Sequence, residues 1–146
     1  MKYFTIQELT KSATAQRLGI KNDPSISETK NLNALVDNIL DPLRKAYKHP
    51  IIVTSGYRCE KLNKAVGGAA SSQHVKGQAA DIRCVADTRK GNKKLYDLIV
   101  SLDLPFDQLI NEYDYDWVHV SFSPRNRRQK LAAVRIGGKT TYKIVK

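Results

Sequence analysis

The sequence predicts one α+β domain over residues 1–146, with a largely antiparallel sheet flanked by helices. Three observations lead there. Two long stretches carry apolar residues at helical spacing: Leu32, Leu35, Val36, Ile39, Leu40 and Leu43, then Leu95, Leu98, Ile99 and Leu102. Between and after them lie short β-branched or alternating runs, of which the last two flank Gly137-Gly138, a hairpin signal. At 146 residues and 41% hydrophobic, the chain suits a single core.

In chain order, Phe4–Arg17 contains a short helical candidate, with Thr5 as N-cap and Glu8 three residues later. Lys21–Ser27 is a polar loop. Ser27 can cap a helix over Glu28–Tyr47, which Pro42 should bend or interrupt. Pro50–Ser55 reads as a strand ended by Gly56. Cys59–Val66 is a short helix stopped by Gly67-Gly68. A polar loop leads to a strand at Ala79–Cys84, and Thr88–Leu102 is the second long helix. Phe106–Asn111 and Trp117–Phe122 pair across an acidic turn, and Leu131–Ile136 pairs with Thr140–Val145.

Chemistry concentrates in Ser72-Gln73-His74-Val75-Lys76-Gly77-Gln78-Ala79-Ala80-Asp81-Ile82 and in Trp117-Val118-His119. Imidazole and carboxylate are good zinc ligands, and a catalytic zinc commonly takes three protein ligands and a water. Asp81 sits in an otherwise apolar strand, where an unpaired carboxylate is costly. A zinc held by His74, Asp81 and His119 would satisfy it. The plain alternative is a core histidine and a turn-capping aspartate; three ligand-type side chains in these settings favour the metal.

Arg58 follows a strand end and a glycine, and its planar fork suits a substrate carboxylate. Ser72 can donate a hydrogen bond to substrate or to a ligand. A hydrolase also needs a general base for the attacking water. Asp116 lies three residues before His119 and Glu112 seven before it; both are candidates, and Asp114 at the turn tip is the weakest.

The net charge is +11, and from Pro124 onward there are eight Lys or Arg residues and no acid. Arg125, Arg127, Arg128 and Lys130 form a cluster there. Such a tail attracts an anionic polymer, a bacterial wall or nucleic acid, or is simply a solvated basic face. No apolar run is long enough to span a bilayer, and the first residues lack a signal-peptide pattern. Cytoplasmic synthesis without membrane association is expected, and action on a wall would need a phage-type or other release. Cys59 and Cys84 fit no zinc-knuckle spacing and are left out of the metal set.

At these residues the sequence resembles the zinc D-Ala-D-Ala carboxypeptidases, peptidase family M15, and especially their small phage-type branch. The family pattern Ser-x-His-x-x-Gly-x-Ala-x-Asp is met by Ser72, His74, Gly77, Ala79 and Asp81, and its Trp-x-His by Trp117 and His119. Ser55–Arg58, Phe106–Ile110 and Asn126–Gln129 also resemble this branch, which covers Phe4 to about Leu131. The resemblance implies the hedgehog/DD-peptidase fold and zinc at His74, Asp81 and His119. It implies that Arg58 binds a substrate carboxylate, and that the substrate is a peptidoglycan stem peptide cut beside a D-residue. D,D-carboxypeptidase and endolysin-type endopeptidase are both within its range.

Many members carry the acid as Glu-x-x-His, where this chain has Asp116; an upstream glutamate in the small branch points to Glu112. Ser72 and Gln108 are then candidates for substrate contacts or for support of the metal ligands. A monomer is expected. The rival readings are a zinc-containing wall-binding module without catalysis and a basic nucleic-acid binder. The second lacks interleaved aromatics, since only Tyr142 lies beyond Phe122.

Overall fold

The structure is a computed structural model that describes residues 1–146. It is an α+β domain built on one six-stranded sheet. The strands are β1 (Ile51–Ser55), β2 (Ala79–Cys84), β3 (Gln108–Glu112), β4 (Trp117–Ser121), β5 (Gln129–Ile136) and β6 (Lys139–Ile144). Their order is β1-β2-β4-β3-β5-β6, and every pair is antiparallel except β3–β5. The helices are α1 (Ile6–Thr10), α2 (Ala13–Leu18), α3 (Ile26–Leu35), α4 (Asp41–Tyr47), α5 (Glu60–Ala65) and α6 (Arg89–Ser101). A π-helical turn, Val36–Leu40, joins α3 to α4, and a 3-10 turn spans Gln73–Lys76. No helix is long and apolar enough to cross a membrane.

Hydrophobic burial explains the arrangement. Leu32, Leu35, Val36, Ile39, Leu40 and Leu43 form one continuous, fully buried stripe. They join Leu95 and Ile99 of α6 in a cluster with Ala80, Ile82, Leu109, Val118 and Val120 from the sheet. Each such aliphatic side chain contributes about 1.5–3 kcal/mol by leaving water. One sheet face is therefore committed to the helices. Residues alternate across a strand, so Asp81, His119, Ile110 and Glu112 share the other face.

Several local expectations are corrected. The one short helix expected within Phe4–Arg17 is joined by a second, because Lys11 turns extended and Ser12 caps α2 by accepting from Ala15 N. The cap of α3 is Ser25, not Ser27, and Glu28 completes its capping box. Pro42 does not interrupt the long helix. Proline cannot donate to the i−4 carbonyl, and the chain absorbs this by widening one turn into the π-helix just before it. The strand expected from Leu131 begins at Gln129. The Gly137-Gly138 hairpin forms as expected, with Ile136 opposite Lys139. Both cysteines are free thiols.

Candidate metal centre

The site is assembled by register. Asp81 on β2 lies directly opposite His119 on β4, and His119 lies opposite Ile110 on β3. Directly opposed residues point to the same face, so the carboxylate and imidazole meet without any loop. His119 Nδ1 lies 2.9 Å from Asp81 Oδ1. His74 comes from the 3-10 turn, and its Nε2 lies 3.4 Å from Asp81 Oδ2. The two imidazoles stand edge to face, with centroids 5.1 Å apart. Ligand atoms of all three residues lie within 4.8 Å of one another.

Other residues hold that turn. Ser72 Oγ accepts from His74 N at 3.2 Å. Gly77 closes the turn at φ +73°, and a Cβ there would lie 2.6 Å from the Glu28 carbonyl oxygen. His74 Nδ1 is 2.6 Å from the Gly56 carbonyl. A carbonyl only accepts, so Nδ1 carries the hydrogen of that bond, and Nε2 is the ring nitrogen on the Asp81 side. Gly56 must itself be glycine, because a Cβ would lie 2.2 Å from the Leu9 carbonyl oxygen.

The donor set fits a metal ion. Two imidazoles and a carboxylate suit zinc, and the carbonyl behind His74 is the usual outer partner that orients a ligating histidine. Burial pushes the Asp81 carboxyl up, but the adjoining imidazoles override it and hold the group below the usual carboxylate range. Cys59 and Cys84 are not in the group.

The two acid candidates separate. Glu112 lies opposite Trp117 and is 7% exposed, on the metal-bearing face. Burial raises its carboxyl to about 7; His119 opposes the shift and Asp81 adds to it. Asp116 is not brought to the cluster. It precedes β4, and its carboxylate accepts from Arg89 Nη2 of α6 at 2.9 Å. Asp114 is also drawn toward Arg89, at 3.9 Å.

Arg58 sits beside the metal group. Its backbone N–H donates to the His74 carbonyl at 3.1 Å, and its Nη2 reaches Ser72 Oγ at 3.4 Å. Its buried Nε has no partner. It lines a cleft of about 460 Å³ with Lys11, Ser55, Tyr57 and Leu62 among others. Gln108 shares the metal-bearing face but lies further along β3, donating to Gln129 Oε1 at 2.8 Å.

One network was missed in the sequence. Asp107 is fully buried and accepts from Gln73 Nε2, Ser123 Oγ and Arg127 Nε and Nη2, each at 2.9 Å. Arg127 N adds a fifth bond at 2.8 Å. Burial raises the Asp107 carboxyl, but the Arg127 bonds outweigh it and hold the group well below the usual range. The network ties the loop after β4 to the residue preceding His74. The one local signal was an aspartate next to Phe106 at the start of a strand, which hints at burial but does not name the partners. The network also revises the expected basic cluster. Arg127 is committed to Asp107, and Arg128 pairs with Asp103.

A largely buried carboxylate between two histidines, with Glu112 on the same sheet face, is the kind of group that could hold a metal ion. A model of the Peptidase M15 family matches residues 2–121, and the chain belongs to that family. Its members are typically metallopeptidases, and the His74–Asp81–His119 group could bind the metal. No curated protein matches the chain.

Proposed function

We propose that the chain is a zinc peptidase that hydrolyses peptidoglycan stem peptides, as a D,D-carboxypeptidase or an endolysin-type endopeptidase. The observation that carries this reading is the convergence of His74, Asp81 and His119 on the sheet face that also bears Glu112. Zinc held by those three residues supplies Lewis acidity, polarising a carbonyl and acidifying water. Glu112 takes the proton of the attacking water and passes it to the leaving amine. Burial raises its carboxyl, which favours its taking up a proton. Ser72 keeps His74 and Arg58 in register. The test is mass spectrometry of purified peptidoglycan after digestion. New amine and carboxyl ends at one bond type are expected, and a digest identical to the buffer control rejects the reading.

Arg58 grips a substrate carboxylate. Its guanidinium lines the cleft, and its Nη2 is only loosely engaged, by Ser72 Oγ at 3.4 Å. Arg58→Lys is expected not to restore activity to an Arg58→Ala background, because an ammonium lacks the planar pair of donors. The Ala variant should lose at least about tenfold on a peptide with a free carboxylate and little on the matching amide. Equal losses on both would place Arg58 in support of the His74 loop instead.

The basic segment concentrates the enzyme on an anionic wall polymer. Lys139 and Lys143 stand on β6, which is exposed along its whole length, and Lys146 follows. Replacing the three with glutamine is expected to weaken sacculus binding at low salt and leave hydrolysis of a soluble peptide unchanged. Loss on the soluble peptide contradicts this role.

A further inference from the structure

The family match ends at residue 121, yet the sheet continues through β5 and β6. Those strands extend the metal-bearing face. Trp117 lies opposite Glu112, Glu112 beside Ala133, and Ala133 opposite Tyr142, so the four form one row across four strands. Row partners project to the same side. Ala133 offers only a methyl group, so no long side chain stands between the Glu112 carboxylate and the Tyr142 ring. The hairpin is fixed to the domain. Tyr113 Oη lies 2.5 Å from Thr140 Oγ1, the Arg135 guanidinium lies over the Tyr113 ring at 5.2 Å, and Val145 N donates to the Lys130 carbonyl at 2.9 Å. Tyr142 is nevertheless 54% exposed. A large aromatic held on a tethered edge strand, across Ala133 from Glu112 in the same row and open to solvent, is placed to meet a ligand.

We propose that Tyr142 is a substrate-facing residue of the metal-bearing sheet face, whose phenol donates a hydrogen bond to the carbonyl oxygen of the scissile peptide as that oxygen becomes negative. This deepens the peptidase reading and rests on it. The phenol keeps its proton throughout: water attacks the carbonyl carbon, Glu112 relays the water proton to the amine, the C–N bond breaks, and Tyr142 only supplies the hydrogen bond. A donor aimed at the developing charge strengthens in the transition state and therefore raises turnover more than binding. Burial, then the Glu112 carboxylate, then Tyr113 and the Asp81 carboxylate, push the phenol above its ordinary value, which keeps it a donor at neutral pH.

The experiment compares wild type, Tyr142→Phe and Glu112→Gln, all zinc-loaded, on a soluble stem peptide released from peptidoglycan. Phenylalanine keeps the ring and removes only the donor. We expect Tyr142→Phe to lower kcat on the order of 10²-fold with KM nearly unchanged, and with zinc content and thermal midpoint equal to wild type. A rate within twofold of wild type, alongside an inactive Glu112→Gln, overturns the Tyr142 role and leaves the peptidase reading standing. A change confined to KM also overturns it, since that marks uniform binding. A wild type that cleaves nothing overturns the peptidase reading and the Tyr142 role together.

Discussion

Glu112→Gln is expected to leave zinc bound and to cut turnover by roughly 10²–10⁴-fold. The amide keeps the shape of the side chain but cannot accept the proton of the attacking water. Asp116→Asn is expected to stay near the wild-type rate, because that carboxylate is turned toward Arg89 on the helix side. Steady-state kinetics on one soluble peptide distinguishes the two. The reverse ranking would assign the base to Asp116. A thermodynamic signature accompanies the kinetic one. The folded value of Glu112, about 7, lies above the ordinary glutamate value of 4.5, so between these pH values the folded state holds the proton more tightly. The stability contributed by this group is fully present below pH 4.5 and is lost as pH rises through 7. Subtracting the Glu112→Gln melting profile from that of the metal-free wild type should reveal this component, and no difference across that window would contradict the burial assigned to Glu112.

His119→Ala is expected to abolish activity and to weaken zinc binding by more than about 10²-fold, since loss of an outer partner alone typically costs 10–100-fold. The fold should survive. The substitution falls on the sheet face away from the main core, whose β4 contribution is Val118 and Val120. Competitive chelator titration and circular dichroism check the two halves separately. Wild-type zinc affinity in a folded His119→Ala protein would remove His119 from the ligand set.

Much of this was legible in the chain because it is written locally. The Leu32–Leu43 stripe, the β-branched run at Ile51–Val53 and the paired glycines each declare an element within a few residues. The ligand types declared themselves too, since an aspartate inside an apolar strand demands a partner. What was not legible depends on register and on distant segments. The choice between Glu112 and Asp116 turns on where each is held: Glu112 is on the metal-bearing face of β3, and Asp116, in the turn before β4, is drawn off by Arg89, 27 residues away. The Asp107 network gathers side chains from three separated segments, so no window contains it. Arg127 read as part of a basic patch because its buried partner lies 20 residues earlier. The π-turn before Pro42 accommodates the proline while the apolar stripe on both sides of it stays buried.

The central claim is that one zinc is held by two imidazoles and one carboxylate from β2, β4 and the Gln73–Lys76 turn. Zinc-edge X-ray absorption on the purified protein tests it directly. One zinc per chain is expected, with only nitrogen and oxygen neighbours at about 2.0–2.2 Å, imidazole scattering from two rings, and loss of one ring in His119→Ala. Sulfur neighbours at about 2.3 Å, or an unchanged spectrum in His119→Ala, would contradict it.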